Sequence, residues 1–155
     1  MEDVRADEIP RFGDADPGTT YVPRPGGYAV IFDPRGRLAV VATDEGLHLP
    51  GGGQEAGESP EDATVREVAE ETGLDVALGE RIGVADEFVF AASEGVHYRK
   101  RCSFFRATVT GTGEPTEPDH ELQWMEPASA LRELHHEVQQ WAVQTALERS
   151  GRRFD

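Results

Sequence analysis

The residues from Gly52 to Leu74 are the ones whose types and spacing can do chemistry. Glu58 follows Gly52 after five intervening residues, and seven more lead to Arg66-Glu67-Val68-Ala69-Glu70-Glu71-Thr72-Gly73-Leu74. Glu67, Glu70 and Glu71 therefore stand at i, i+3 and i+4. In a helix each residue advances about 100°, so with Glu67 at zero Arg66 lies near about −100°, Glu70 near about −60° and Glu71 near about +40°. One face then carries three acids and a guanidinium, while Val65, Val68, Ala69 and Thr72 fall opposite and read as the buried stripe. Like charges at these spacings repel and weaken a helix. Hard oxygen donors grouped this way suit Mg²⁺, with Mn²⁺ as a substitute.

The elements that must position these residues are well punctuated. Ser59-Pro60-Glu61-Asp62 offers an N-cap serine, a proline at the first helical position and acids near the positive end of the helix dipole. Gly73 follows the last periodic residue and can take the left-handed conformation that ends a helix. Upstream, Leu49-Pro50-Gly51-Gly52-Gly53 is a glycine run whose backbone a ligand can approach. Residues 28–33 and 37–43 are β-rich runs joined by the turn signal Asp33-Pro34-Arg35-Gly36, which predicts a hairpin. Residues 76–84, 87–91 and 98–109 read as further strands, 122–125 as a short one, and 127–149 as one or two helices. In those helices Leu131, Leu134, Val138, Trp141 and Ala142 form a candidate core face.

The pattern Gly-x5-Glu-x7-Arg-Glu-aliphatic-x-Glu-Glu-x-Gly-aliphatic resembles the Nudix box, and every fixed position is met. The Leu-Pro-Gly-Gly lead-in resembles the family's approach to that box. A merely solvated acidic helix would explain neither Arg66 nor the glycines on both sides. The resemblance implies an α/β fold, the α/β/α sandwich of Nudix proteins with a mixed sheet. It also implies a metal-dependent pyrophosphohydrolase that cleaves a nucleoside diphosphate linked to another moiety, nucleoside triphosphates included, by water attack on phosphorus. By the same resemblance Glu67, Glu70, Glu71 and the Gly51 carbonyl hold the metal, and Arg66 orients the carboxylates. The general base is either a box glutamate or Glu121, because Asp119-His120-Glu121-Leu122-Gln123-Trp124 is similar to a later segment that supplies the base in other members. The competing reading is a catalytically idle module of the same fold that binds a nucleotide or a protein.

Composition bounds the rest. At 155 residues the chain is one domain by length, read as an arm over 1–25 and a domain over 26–150. Thirty acids against fifteen Lys and Arg give a net charge of −15, which disfavours polymeric nucleic acid. Residues 55–75 hold eight acids against Arg66 alone, so the charge is concentrated where metal would sit. The basic cluster Tyr98-Arg99-Lys100-Arg101 makes Arg99 and Arg101 candidates for gripping substrate phosphate, with Phe104-Phe105 alongside for stacking. Alternating strand residues facing water is the competing reading. His135-His136-Glu137 reads as helix surface rather than a metal cluster, since adjacent helical residues point apart. Cys102 is the single cysteine, which excludes an internal disulfide and suits a cytoplasmic protein. No apolar run reaches membrane-spanning length and the acidic N-terminus lacks signal-peptide features. The expected partner is a small-molecule nucleotide, with a homodimer left open.

Overall fold

The computed structural model describes residues 9–150; the first eight residues of the predicted arm lie outside them. In chain order the elements are β1 (Arg11–Phe12), β2 (Val22–Pro23), β3 (Gly26–Ile31), β4 (Leu38–Thr43), β5 (Gly46–His48), β6 (Gly51–Gly53), α1 (Pro60–Thr72), β7 (Leu74–Ala91), β8 (Val96–Thr112), β9 (Glu121–Met125), α2 (Pro127–Glu133) and α3 (Glu137–Arg149). A larger mixed sheet runs β1-β7-β8-β3-β6, with β2 also on β8, and a smaller sheet runs β5-β4-β9.

β3 is the centre of the molecule. It pairs parallel with β8, Tyr28 opposite Phe104, and antiparallel with β6, Tyr28 opposite Gly51. Its side chains alternate between two cores. Val30 joins Leu38, Ile82, Phe104, Val138 and Ala142 on the side of α2 and α3, while Ala29 and Ile31 join Val68, Leu74 and Ala107 on the side of α1. A strand covered on both faces must be apolar throughout rather than alternating, and 29–31 are fully buried.

Because both edges of β3 are occupied, β4 cannot form the expected hairpin with it. The turn forms, with Gly36 N–H donating to the Asp33 carbonyl at 2.9 Å, and one bridge joins Phe32 to Leu38. Beyond that bridge β4 departs to the second sheet, between β5 and β9. The two strands expected at 76–84 and 87–91 are one strand, β7, bent by bulges around Asp75–Val76 and Leu78–Gly83. Residues expected to form an arm carry β1 and β2, which pair with β7 and β8, and Ile9 is buried.

α1 starts and stops where its caps predict. Ser59 Oγ accepts from the Asp62 N–H at 3.0 Å, Asp62 Oδ2 accepts from the Ser59 N–H at 3.3 Å, and Gly73 ends the helix at φ 75°. The buried stripe is rotated from the expected one. Val65 is 40% exposed, and Thr64, Val68, Glu71 and Thr72 face inward. The cause is Gly27 of β3, where a side chain would collide with Thr64 Oγ1 and the Pro60 carbonyl. Its bare backbone lets the Thr64 side of the helix seat directly on the sheet.

Candidate active site

The site is assembled where α1 crosses β6. Arg66 is its hub. Nε and Nη2 form a fork on Glu58 at 2.7 and 2.9 Å, and Nη2 also donates to the Gly53 carbonyl at 3.1 Å. Nη1 donates to Glu67 at 2.9 Å and to Glu70 at 3.2 Å. The paired, planar donors of a guanidinium make such a bracket and a lysine's point charge does not. The Glu58 carboxyl is lowered to about 2 by the Arg66 hydrogen bonds and the Glu55 N–H. Through Arg66, which also holds the Gly53 carbonyl, it links the residues after the glycine loop to α1.

Glycine at position 52 has a steric reason: a Cβ there would lie 2.7 Å from Glu67 Cδ. The Glu67 carboxyl is raised by burial, against the pull of Arg66. Glu71, expected on the open acidic face, is 9% exposed and accepts the Gly51 N–H at 2.9 Å. Burial raises its carboxyl to about 8, helped by the nearby charges of Glu67, Glu117 and Glu70. His120 Nε2 lies 3.3 Å from the other Glu71 oxygen.

Sequence reasoning passes over Glu117 and reads His120 as a solvated loop histidine, whereas His120 lines the cleft against Glu71. The N–H groups of Thr116 and Glu117 donate to the Glu70 carbonyl at 2.8 and 3.0 Å, which moors their loop to the last turn of α1. Such carbonyls lack intrahelical partners. No local pattern announces that contact. Glu121 opens β9 opposite Ala42, is exposed, and does not line the cleft, whereas Asp119 and His120 do.

The cleft has two connecting lobes. One, about 390 Å³, is bounded by Gly51, Glu71, His48, Lys100, Asp119 and His120. The other, about 680 Å³, is bounded by Gly52, Gly53, Arg24, Phe90, Tyr98 and Lys100. The strand period of β8 decides which basic residues reach it. Tyr98 and Lys100 line the cleft, whereas Arg99 and Arg101 do not. Arg101 instead forks onto the buried Asp86 with two bonds of 2.9 Å. Phe104 and Phe105 are buried core, so the aromatic rings that line the cleft are Tyr28, Tyr98 and Phe90. His135 and His136, expected on a helix surface, lie between α2 and α3 with ring centres 5.8 and 5.4 Å from that of His48, and His136 Nδ1 lies 2.7 Å from Glu87 Oε2. Burial, then His136 and His135, lowers the His48 imidazole to about 4.

Among the described residues no three acid, histidine or cysteine side chains are already gathered as a closed metal cage. The donor set nevertheless fits a hard divalent cation. Glu67, Glu70 and Glu71 are oxygen donors on one helix, and Arg66 engages only one oxygen of Glu67 and one of Glu70. The mutual repulsion that raises Glu71 is what a cation among them would relieve.

A family model described as the NUDIX domain matches residues 22–145. The chain belongs to the Nudix family. Among solved structures, it is similar to a NUDIX hydrolase from Nitrosomonas europaea, with a TM-score of 0.68 and 21% identity, over 86% of this chain and 93% of that one. It is also similar to a MutT NUDIX hydrolase from Burkholderia pseudomallei, with a TM-score of 0.56 and 29% identity, over 80% and 98% of the two chains. A putative 8-oxo-dGTP diphosphatase from Bacillus subtilis (strain 168) is 58% identical over 36 residues, which is 23% of this chain and 24% of that protein. The Nudix assignment agrees with the α/β architecture of a mixed sheet packed between helices. Among the described residues no helix is long and apolar enough to cross a membrane.

Proposed function

We propose that this Nudix protein hydrolyses the phosphoric anhydride of a nucleoside diphosphate linked to another moiety, with Mg²⁺ or Mn²⁺ as cofactor and water attacking phosphorus. The observation that supports the reading is the Arg66 bracket, which holds Glu67 and Glu70 on the same helix as Glu71, the acid that lines the cleft. Glu67, Glu70, Glu71 and the Gly51 carbonyl would hold the metal. When bound, it neutralises phosphate charge and lowers the pKa of water.

The protein's own part is positioning. Arg66 fixes the Glu67 and Glu70 carboxylates relative to each other, and Gly52 leaves room for Glu67 to lie against the loop. Lys100, which lines both lobes, meets phosphate charge as it enters. The proton of the attacking water goes to a carboxylate of the box or of the loop at 117–121. Glu117 is better placed there than Glu121, because it is moored to Glu70 and close enough to raise both Glu67 and Glu71. A complete set of acidic ligands supports an active enzyme over an idle binding module. The net charge of −15 favours a small nucleotide over a polymer, and the single buried Cys102 suits the cytoplasm.

The test is nucleotide chromatography on a substrate panel with Mg²⁺, with Mn²⁺ and with EDTA. Turnover should require a divalent cation and fall by orders of magnitude in Glu70→Gln. With ¹⁸O-water the label should enter phosphorus, and label on carbon would reject the class.

A further inference from the structure

The two lobes meet at β6 and differ in chemistry. Gly51 lines the first lobe, Gly52 and Gly53 line the second, and Lys100 reaches both. A pyrophosphate laid along this glycine strand would have one substituent on the side of each lobe.

The second lobe suits a planar base. The ring of Tyr98 lies 4.8 Å below the Arg24 guanidinium, Phe90 is 56% exposed, and Val89 and Ala91 complete an apolar wall. Stacking on such faces tolerates any base. The first lobe is more acidic. Glu45 and Lys100 line both lobes and the second adds Glu94 and Arg24, whereas the first adds Asp44, Glu71, Glu87 and Asp119 with no further Lys or Arg. His48 and His136 add imidazoles, the latter held by Glu87 at 2.7 Å.

Carboxylates accept hydrogen bonds from hydroxyls at no cost in charge, and two oxygens can serve adjacent hydroxyls. A terminal phosphate brought to the same walls meets like charge in a partly enclosed space, which discriminates against it. We propose that the first lobe receives an uncharged, hydroxyl-rich group, so that the substrate is a nucleoside diphosphate sugar rather than a nucleoside triphosphate. This rests on the hydrolase reading above and narrows it.

The experiment compares kcat/KM with Mg²⁺ for ADP-ribose against ATP and for UDP-glucose against UTP. The sugar conjugate should win by at least about tenfold within a pair. In Asp44→Asn, which alters the first lobe alone, the ratio should shift toward the triphosphate by several-fold. Binding of the same pairs to Glu70→Gln is measured by titration calorimetry, so that preference is read without turnover. Binding preference for the sugar conjugate with no hydrolysis of any compound would leave the lobe assignment standing and remove the hydrolase reading. Hydrolysis with the triphosphate preferred in both pairs overturns the lobe assignment and keeps the hydrolase. An unchanged ratio in Asp44→Asn, or no binding of either class, also overturns it.

Discussion

Replacing Glu71 by glutamine should remove a pH-dependent strain from the metal-free protein. The Glu71 carboxyl is 9% exposed and raised from an ordinary 4.5 to about 8, first by burial and then by Glu67, Glu117 and Glu70. Below pH 4.5 it is protonated in the folded and the unfolded chain alike, so its contribution to stability is intact. Between there and about pH 8 the unfolded chain releases the proton while the folded chain retains it, so stability falls as pH rises. At about 1.4 kcal/mol per pH unit the whole window amounts to about 5 kcal/mol. From about pH 5 to about pH 7.5 the loss is about 3 kcal/mol. For a domain of this size that corresponds to about 10 °C in melting temperature. Glutamine keeps an oxygen for the Gly51 N–H but carries no proton to lose. Thermal melts in EDTA should therefore show the wild-type curve dropping away from Glu71→Gln by about that much over this range. Glu67, also raised, acts with the same sign in both proteins and largely cancels in the difference. Saturating Mg²⁺ should flatten the wild-type slope, because a bound cation holds the carboxylate ionised. A difference curve that is flat from pH 5 to 8 would refute the reasoning.

Arg66→Lys should lower kcat by about 10- to 100-fold with the fold intact by circular dichroism, since lysine cannot hold Glu58, Glu67 and Glu70 together; activity within twofold of wild type would remove the bracket from the mechanism. Glu117→Gln should cost about a hundredfold in kcat, whereas Glu121→Gln should cost less than about threefold because its side chain is exposed and is not among the charges that act on Glu67 and Glu71. The opposite ranking would return the base to Glu121. Gly27→Ala should destabilise by about 1–3 kcal/mol through collision with Thr64 and Pro60, read as a lower denaturant midpoint; an unchanged midpoint would show that α1 does not depend on that bare backbone.

The sequence by itself determined the box helix, its boundaries and its acidic face, because those signals are local. Ser59, Pro60 and Gly73 act through backbone geometry a few residues away, and the i, i+3, i+4 spacing of Glu67, Glu70 and Glu71 carries its own direction. The tertiary structure decided everything that depends on which surface meets which. β4 left β3 because both edges of β3 were taken by strands distant in sequence. Thr64 rather than Val65 turned inward because Gly27 offered no side chain. Glu71 became a buried acid, and Lys100 rather than Arg99 or Arg101 reached the cleft, because packing and strand register select one face of a helix or strand. The loop at Thr116 and Glu117 came close to Glu67 and Glu71 through two hydrogen bonds to the Glu70 carbonyl, 46 and 47 residues back along the chain. Contacts of that span are specified by the folded surface, and no short pattern in the chain encodes them.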